Sequence, residues 1–361
     1  MQAALELARA SAPLSPPNPA VGCVLVSPDG EVIGTGRTDR VGGPHAEARA
    51  LADMKVRGHS GRDATAYVTL EPCSHFGRTP PCADALVREG VRRVVVATQD
   101  PNPLVAGRGI ERLRAAGIEV SVGLLEEASR EVNPGFFSRM TRGLPWVRLK
   151  VAASLDGRTA LQNGASQWIT GTAARVDGHR WRARAGAILT GIGTVLDDDP
   201  RLDVREVEAP RQPLRVVLDS QLRTPAHARL LQVPGSVLVY AAQDHAERRA
   251  ALQAAGAEVV VLPATRGRVD LSAMLRDLAA RQVNDLHVEA GHRLNGALVE
   301  ADLVDEFLVY LAPKLIGLGR EMMQFGPLAA LGEARALEFI DVERLGDDLR
   351  LRARRRERHP D

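Results

Sequence analysis

Residues 44–51 read PHAEARAL and residues 69–82 read TLEPCSHFGRTPPC, and these two segments decide how the first half of the chain folds. The first segment contains His45, and the second contains Cys73 and Cys82. One imidazole and two thiolates supply three zinc ligands, which leaves a tetrahedral zinc one ligand short. An open fourth position is typical of a catalytic zinc rather than a structural one. We therefore predict a catalytic zinc site at these three residues.

Glu47 stands two residues after the first ligand, where it can transfer protons without binding the metal. This is the arrangement of zinc deaminases, in which a zinc-activated water attacks an amidine-like carbon and a glutamate transfers protons. The pattern gains weight from its context, because Cys73 follows a predicted strand (ATAYVTLE) and Cys82 opens a predicted helix (CADALVREG). Eight residues separate the two cysteines, a departure from the short Cys-x-x-Cys form. A structural metal, or none, is the alternative.

The composition is typical of a globular protein. With 361 residues the chain is too long for one typical core, so two domains are expected. The net charge of +2 does not point to nucleic acid, and no apolar run approaches the roughly 20 residues of a membrane span. The start, MQAALELARAS, does not resemble a signal peptide. Three cysteines, two of them in the predicted metal site, exclude a disulfide framework and fit a reducing cytoplasm.

Strands and helices alternate through the first half. A helix at 1–10 and a proline-rich loop precede a hairpin, after which come HAEARALADM (helix), TAYVTL (strand), 82–89 (helix), VRRVVVATQ (strand), GIERLRAAG (helix) and IEVSVGLL (strand). This order predicts an α/β sandwich around a mostly parallel or mixed sheet. The metal-bearing segments then lie at helix N-termini, whose partial positive charge favours thiolate over thiol.

Polar residues in the loops beyond the strand ends are candidate substrate contacts. Asn18, Asp100 and Asn102 could bind a base and a ribose, although asparagine and aspartate beside proline are also common turn formers. Arg78, within the cysteine loop, could contact an anionic substrate or be a solvated loop residue.

The second half is again α/β. Gly143 and Pro145 interrupt regular secondary structure between the two halves, and a new strand (WVRLKVAAS) follows. We predict domains at 1–143 and 145–361. Two glycine-containing segments, GIGT (191–194) and AGHRLNG (290–296), could bind phosphate at a helix N-terminus, but tight turns explain them equally well. Neither matches the Rossmann fingerprint, because GIGT is expected to run into aspartates and proline rather than a helix.

The motifs of both halves resemble a known family. PPNPAVGCVLV, GGPHAEARAL, TLEPCSHFGRTPPC and QDPNPLVAGRG resemble the deaminase half of the bifunctional riboflavin-biosynthesis deaminase/reductases, which has a cytidine-deaminase-like three-layer α/β/α fold. KVAASLDGRTA, SQWIT, AILTGIGTVLDDDPRLDVR, VLDSQ, VEAG and YLAPKLIG resemble the reductase half, whose fold is similar to dihydrofolate reductase.

This resemblance implies two reactions and two cofactors. Zinc-dependent deamination of 2,5-diamino-6-ribosylamino-4(3H)-pyrimidinone 5′-phosphate comes first. NADPH then reduces the ribosyl group of 5-amino-6-(5-phosphoribosylamino)uracil to ribityl. By the same resemblance Glu47 transfers protons and the zinc ligands are His45, Cys73 and Cys82. The implied NADPH contacts are Ala152, Trp168, Thr194, Asp198, Ser220, Gly291, His292, Arg293, Leu294, Asn295, Gly296 and Ala297. The implied substrate contacts of the reductase are Ser166, Arg182, Leu202, Arg205 and Glu289.

Two details of the second half lead to separate hypotheses. Only three residues of the 47 Lys and Arg are lysines, and two of these, Lys150 and Lys314, fall in the motifs that resemble the reductase. A compact ammonium is therefore expected to matter there, with Lys150 orienting the site and Lys314 near it. His292 and Arg293 stand where the family usually has small residues or proline. They either crowd the pyrophosphate or bind the 2′-phosphate.

Two other classes of function compete with this interpretation. One is a zinc deaminase of a nucleoside or RNA base with a binding or dimerisation module; the other is a nucleic-acid-binding protein that uses the tail LRLRARRRERHPD. The tail lacks interleaved aromatics and is interpreted as a strand whose alternate residues face solvent, followed by a disordered end. We expect a small-molecule pyrimidine ribosyl phosphate as partner, no nucleic acid, no membrane, a cytoplasmic location and a homo-oligomer, either dimer or tetramer.

Overall fold

The computed structural model describes residues 1–74, 81–262 and 267–356. It separates into two compact units, Met1–Leu144 and Pro145–Asp361. The predicted alternation of strands and helices is confirmed in both units.

The first unit is built on a five-stranded mixed sheet in the order β2-β1-β3-β4-β5. Strand β1 pairs antiparallel with β2 and β3, whereas β3, β4 and β5 are parallel. The strands are β1 (Gly22–Val26), β2 (Val32–Arg37), β3 (Thr65–Val68), β4 (Arg93–Val96) and β5 (Glu119–Val122). The helices are α1 (Gln2–Ser11), α2 (Ala46–Val56), α3 (Cys82–Arg88), α4 (Arg108–Ala115), α5 (Glu126–Arg130) and α6 (Pro134–Arg142).

The core of this unit forms where helices cover the sheet. Its residues include Leu25 of β1, Met54 of α2, Val68 of β3 and Leu86 of α3, all fully buried. Because β3 and β4 are parallel, their carboxyl ends lie at the same edge of the sheet, and the loops that leave this edge are placed to form a site.

The second unit contains a nine-stranded sheet in the order β11-β10-β9-β8-β12-β6-β13-β16-β15. The strands are β6 (Trp146–Ser154), β7 (Arg158–Leu161), β8 (Ala187–Gly191), β9 (Leu214–Leu218), β10 (Val237–Ala241), β11 (Ala257–Val261), β12 (Asp285–Val288), β13 (Glu306–Ala312), β14 (Gly319–Glu321), β15 (Leu337–Leu345) and β16 (Asp348–Arg355). The helices are α7 (Thr172–Arg184), α8 (Ile192–Asp198), α9 (Arg229–Gln232), α10 (Ala246–Ala254), α11 (Leu271–Ala280) and α12 (His292–Glu300).

Seven strands of this sheet, from β11 to β13, are parallel, and the hairpin β15–β16 adds an antiparallel edge. Strands β8 and β10 are apolar along most of their length, as expected where helices cover both faces of a parallel sheet, whereas β6, β9 and β12 contain the buried residues Arg148, Arg215 and His287. In β10, for example, all residues of VLVYA are buried. A separate two-stranded ribbon pairs β14 with β7.

Two expectations from the sequence are wrong. The segment after GIGT does form a helix: α8 follows β8 directly and is anchored by Val195, which is 2% exposed. The Arg-rich tail does form β16, but its alternate residues Arg350, Arg352 and Arg354 do not face solvent, since only 12%, 18% and 17% of their side chains are exposed. Arg350, Arg352 and Arg354 instead pair with buried acids such as Glu306. The expected disordered end, 357–361, lies outside the described residues.

Candidate active sites

Three predicted metal ligands come together in the first unit. His45 caps the N-terminus of α2, Cys82 is the first residue of α3, and Cys73 lies in the loop after β3. Their ligand atoms all lie within 4.8 Å of one another, and His45 Nδ1 is 3.3 Å from Cys82 Sγ and 3.5 Å from Cys73 Sγ. Ligand atoms around a tetrahedral zinc, with bonds of about 2.0 and 2.3 Å, are about 3.5 Å apart. The cluster therefore fits zinc.

The ligand atoms are also electrostatically coupled. Hydrogen bonds from Cys82 and His45 lower the pKa of Cys73 to about 4, while the bond shared with Cys73, together with burial, raises the pKa of Cys82. The backbone N–H of Cys82 donates to Cys73 Sγ at 3.3 Å. A thiolate is the form of cysteine that binds metal, so the arrangement favours a bound cation.

Glu47 is the second residue of α2 and is 4% exposed. Burial, and next the charge of Cys73, raise the pKa of Glu47 to about 7. Its carboxyl group is therefore shielded from solvent beside the ligand cluster, without being part of it.

The four predicted substrate contacts of this unit differ in burial and in their hydrogen bonds, and one of them is not described by the structure. Asp100 is 8% exposed, its Oδ1 accepts the N–H of Asn102 at 2.8 Å, and burial raises its pKa to about 6. Asn102 Oδ1 accepts the N–H of Leu104 at 3.1 Å, so the turn chemistry expected for both residues is present. The N–H of Asn18 donates to Ser15 O in the loop before β1. Arg78 lies outside the described residues. Their substrate roles stay predictions.

The second unit contains a cavity of about 720 Å³. Its walls come from β6, the loop 162–171, α8 and the first turn of α12. The N-terminus of α12 faces it through Gly291, His292, Arg293 and Leu294. First-turn N–H groups of a helix attract anions, and Arg223, Arg293 and Arg320 also line the cavity. Its size and charge fit a phosphorylated cofactor.

A second cavity of about 440 Å³ shares a wall with the first, formed by Lys150, Gln167, Trp168, Thr170, Arg175, Thr194, Asp198 and Glu289. Basic residues dominate the rest of its lining, namely His179, Arg182, Arg201, Arg205 and Arg229. Burial and the neighbouring Arg182 and Arg205 lower the pKa of His179 to about 4, so this histidine is neutral near pH 7. The second cavity therefore fits a small anionic molecule.

Glu289 lies directly after β12, where the two cavities meet. Its carboxylate accepts two hydrogen bonds from Arg182, at 2.5 and 2.9 Å, and lies 3.6 Å from Lys150 Nζ and 3.3 Å from His287 Nε2. Burial alone would raise the pKa of Glu289, but Arg182 and Lys150 hold it well below its usual value. The carboxylate is therefore ionised and fixed by cations.

Comparisons with known proteins cover both units. Residues 145–351 match the RibD C-terminal domain, and residues 1–98 match the cytidine and deoxycytidylate deaminase zinc-binding region. The riboflavin biosynthesis protein RibD of Escherichia coli is 46% identical over 97% of this chain and 96% of that protein. The chain belongs to the RibD family.

Solved structures of this family agree with the fold. A RibD structure from Acinetobacter baumannii superposes with a TM-score of 0.88 at 42% identity, covering 99% of this chain and 98% of that one. A Thermotoga maritima structure, described as a diaminohydroxyphosphoribosylaminopyrimidine deaminase/5-amino-6-(5-phosphoribosylamino)uracil reductase, has a TM-score of 0.87 at 32% identity, with 98% and 97% covered.

These matches confirm the predicted fold class, a cytidine-deaminase-like domain followed by a RibD-type reductase domain, and the RibD family is one of enzymes with both activities. The two competing classes are therefore wrong: the second half is not a mere binding module, and the chain is an enzyme. Among the described residues, the helices are too short or too polar to cross a membrane.

The structure brings most of the predicted reductase residues to the two cavities. Those on the cavity walls are Ala152, Ser166, Trp168, Arg182, Thr194, Asp198, Leu202, Arg205, Glu289 and Gly291 to Leu294. Ser220, Asn295, Gly296 and Ala297 lie outside this lining. Asn295 Nδ2 instead donates to Met322 O at 2.9 Å, and Ser220 Oγ accepts the N–H of Val269 at 3.4 Å.

Some cavity residues were not predicted from the sequence. Gln167 adjoins the quoted Trp168, so the motif SQWIT carried a signal for it. Arg175 lies 4.6 Å from the centre of the Trp168 ring, and Arg320 pairs with Asp197 at 2.6 Å. Nothing in the sequence distinguishes these two arginines from the 42 others. Lys314, which was expected near the site, donates to the carbonyls of two cavity-wall residues, Trp168 at 3.2 Å and Ile169 at 2.7 Å.

Proposed function

We propose that this enzyme deaminates 2,5-diamino-6-ribosylamino-4(3H)-pyrimidinone 5′-phosphate and then reduces the ribosyl group of 5-amino-6-(5-phosphoribosylamino)uracil to ribityl. Residues 1–143 carry the deaminase and residues 145–361 the reductase. The observation that supports this best is the convergence of His45, Cys73 and Cys82 beside the buried Glu47. The name of the Thermotoga maritima relative supports the choice of both substrates. The cofactors are zinc and NADPH.

In the deaminase, His45, Cys73 and Cys82 hold the zinc. Bound zinc supplies the Lewis acidity that makes water nucleophilic near neutral pH. The Glu47 carboxylate accepts the proton of the attacking water at one oxygen and returns it to the leaving amino group, which departs as ammonia. The burial of Glu47 keeps bulk water from competing for that proton. Asp100, Asn102 and Asn18 orient the base and ribose, and Arg78 contacts the substrate phosphate.

In the reductase, NADPH supplies the hydride that converts ribosyl to ribityl. The first turn of α12 and Arg293 bind its phosphates at the larger cavity, and Ala152, Trp168, Thr194 and Asp198 line the rest of its path. The substrate occupies the smaller cavity against Leu202 and extends toward Ser166, which lines the larger cavity.

Charge at the smaller cavity decides where the substrate phosphate binds. Arg182 is already engaged by Glu289, and Arg205 pairs with Asp203 at 2.8 Å. Arg205 is the more exposed, with 39% of its side chain accessible against 14% for Arg182. Arg205 therefore contacts the phosphate, while Arg182 orients Glu289 toward the sugar. Lys150, between Glu289 and the Tyr310 ring, orients the same site.

A coupled assay on Glu47→Ala tests the division of labour. The variant is expected to keep its zinc and its reductase activity on the deaminated sugar phosphate, supplied directly, and to lose about a thousandfold in deamination, as for removal of a general base. Glu111→Gln, an exposed carboxylate of the same unit, is the control. Simultaneous loss of both activities would contradict two separate sites.

The assembly is proposed to be a homo-oligomer, a dimer or tetramer, located in the cytoplasm. Strand β15 forms a sheet edge, and Leu337, Phe339, Ile340 and Val342 expose 42%, 70%, 39% and 56% of their surface there. A long apolar edge strand pairs readily with another chain, and a second copy is the simplest partner. Sedimentation of the wild type and of Phe339→Lys tests this: the wild type should associate and the variant should dissociate.

A further inference from the structure

Glu71 is a buried carboxylate that the proposed chemistry does not use. It is 3% exposed and lies two residues before the zinc ligand Cys73. Its hydrogen bonds come entirely from backbone N–H groups among the described residues. Oε2 accepts those of Asp100 (3.1 Å) and Gly107 (2.9 Å), and Oε1 accepts those of Gly109 (2.8 Å) and Ile110 (3.3 Å). The acceptor sites of both oxygens are therefore filled by the chain itself.

All four donors belong to one segment, residues 100–110, which runs from the end of β4 into α4. Gly107, the N-terminal cap of α4, has φ of +86°, a left-handed conformation that glycine adopts without strain. The first-turn N–H groups of α4 have no partner within the helix and carry partial positive charge. The Glu71 carboxylate supplies that partner through charge-assisted hydrogen bonds, which are stronger than neutral ones.

Gly109 shows how closely this segment approaches. A Cβ at this position would lie 3.1 Å from Glu71 Oε1 and would overlap the carbonyl oxygen of Pro72. This close approach is therefore possible only with glycine at position 109. A substitution at Gly109 is therefore a second way to disturb the same attachment, one that leaves the Glu71 side chain itself unchanged.

The attached segment carries two proposed substrate contacts. The N–H of Asp100 binds Glu71, and the carboxylate of Asp100 in turn accepts the N–H of Asn102. Two consecutive hydrogen bonds thus connect Glu71 to Asp100 and Asp100 to Asn102, so Glu71 helps to fix the positions of both residues. The N–H of Glu71 itself donates to Thr98 O at 3.0 Å, which ties the strand end before Cys73 to the end of β4.

We propose that Glu71 is a positioning residue of the deaminase, which fixes the substrate loop 100–107 relative to the strand end that bears Cys73. This inference rests on the proposed deaminase function. It assigns Glu71 neither metal binding nor proton transfer. Its predicted effect is on substrate binding, because a misplaced loop weakens contacts to the base and ribose while the three zinc ligands stay in place.

Glu71→Gln in the full-length enzyme tests the proposal. The amide keeps the size of the side chain but replaces one acceptor oxygen with an NH₂ group that faces two N–H donors. We expect the deaminase KM for the pyrimidine ribosyl phosphate to rise by about ten- to hundredfold, with a smaller fall in kcat. Zinc content and reductase activity should equal those of the wild type. Glu111→Gln, on α4 but exposed, should change none of these values.

Gly109→Ala provides the second variant. Its KM should also rise, and the double variant should be less impaired than the product of the two single effects predicts, because both disturb one contact. An unchanged KM in both single variants with zinc retained would overturn the proposal. Loss of zinc from Glu71→Gln would also overturn it, in favour of a role in holding the Cys73 loop. A wild-type enzyme without deaminase activity would instead refute the proposed function, and the inference with it.

Discussion

The two sites of this chain are built on opposite principles. The deaminase cluster brings three ligand atoms within 4.8 Å, and it draws them from a stretch that starts at His45 and ends at Cys82. The reductase cavities are hundreds of cubic ångströms in size, and their walls come from positions as distant as Lys150 and Arg320. The zinc site depends on a few metal–ligand bonds of fixed length. The reductase site depends on the shape and charge of two cavities that many residues line.

This difference predicts how each site fails. A ligand of the metal cluster has no substitute, so its loss should abolish one activity. A residue of the cavities shares its task with neighbours, so its loss should weaken the other activity by a limited factor. The variants below test this contrast, beginning with the largest effect.

Cys82→Ser should reduce zinc content to near zero and deaminase activity to background, because the oxygen ligand that remains is much poorer for zinc than a thiolate. Metal analysis and the deaminase assay measure both, and reductase activity in the same sample reports that the second unit is folded. Cys23→Ala is the matched control, since Cys23 is a buried cysteine of the same unit that is not one of the three clustered ligands. Deaminase activity retained in Cys82→Ser would contradict the claim that a ligand of the metal cluster has no substitute.

Glu306→Gln tests the long-range electrostatics of the second unit. Glu306 is fully buried on β13 and pairs with Arg148 of β6 and with Arg352 and Arg354 of β16. Removal of the carboxylate takes a shared, buried ion-pair partner from three guanidinium groups, and we expect a loss of about 3–5 kcal/mol in the free energy of unfolding at pH 7. Denaturant unfolding followed through the second unit measures it. Glu338→Gln, exposed on β15, should change stability by less than about 0.5 kcal/mol.

The difference in stability between the wild type and Glu306→Gln should depend on pH. Burial would raise the pKa of Glu306, but Arg148 and Arg352 hold it far below its usual value. A carboxylate with a lowered folded-state pKa stabilises the fold above its unfolded pKa of about 4.3, and the stabilisation is lost as the pH falls below that value toward the folded pKa. The stability difference between wild type and Glu306→Gln should therefore be constant from pH 7 to about 5 and narrow between about pH 4 and 3. A difference that widens in acid would contradict the ion-pair account.

Lys150→Arg tests whether the reductase needs a compact ammonium at the junction of its cavities. Lys150 Nζ lies 3.6 Å from Glu289 and 5.9 Å from the centre of the Tyr310 ring, and the larger guanidinium would displace one of them. We expect reductase kcat to fall by about ten- to hundredfold, with deaminase activity unchanged. Lys55→Arg, at an exposed site of the first unit, is the control. Unchanged reductase kcat would remove this role of Lys150.

The contrast between the sites also explains what the sequence could predict. Zinc accepts few types of ligand, so His45, Cys73 and Cys82 were recognisable from residue type together with their positions after a predicted strand and at predicted helix starts. Alternating strands and helices were equally readable, since periodicity is a local property. The seven-residue helix α8 was missed because aspartates and a proline follow GIGT, whereas the buried Val195 holds the helix from within the fold.

Charges whose partners lie far along the chain were beyond local reasoning. Arg352 and Arg354 looked solvated because they lie in an arginine-rich terminal segment, yet Glu306 is their partner across the sheet, 46 and 48 positions away. Glu71 was equally inconspicuous, because its partners are backbone groups, which carry no sequence signature. The lining of the cavities by Arg175 and Arg320 depends on the same long-range placement.

Arg293→Ala should have the smallest effect and addresses how the larger cavity selects its cofactor. Arg293 is exposed in the first turn of α12, lines the cavity and could bind the 2′-phosphate of NADPH. Loss of one charged hydrogen bond should raise the KM for NADPH by about tenfold and leave that for NADH unchanged, because NADH lacks the phosphate. Arg276→Ala, on the exposed side of α11 in the same unit, should change neither value. If the KM for NADPH falls instead, the side chain crowds the pyrophosphate, and selectivity must come from Arg223 or Arg320, which line the same cavity.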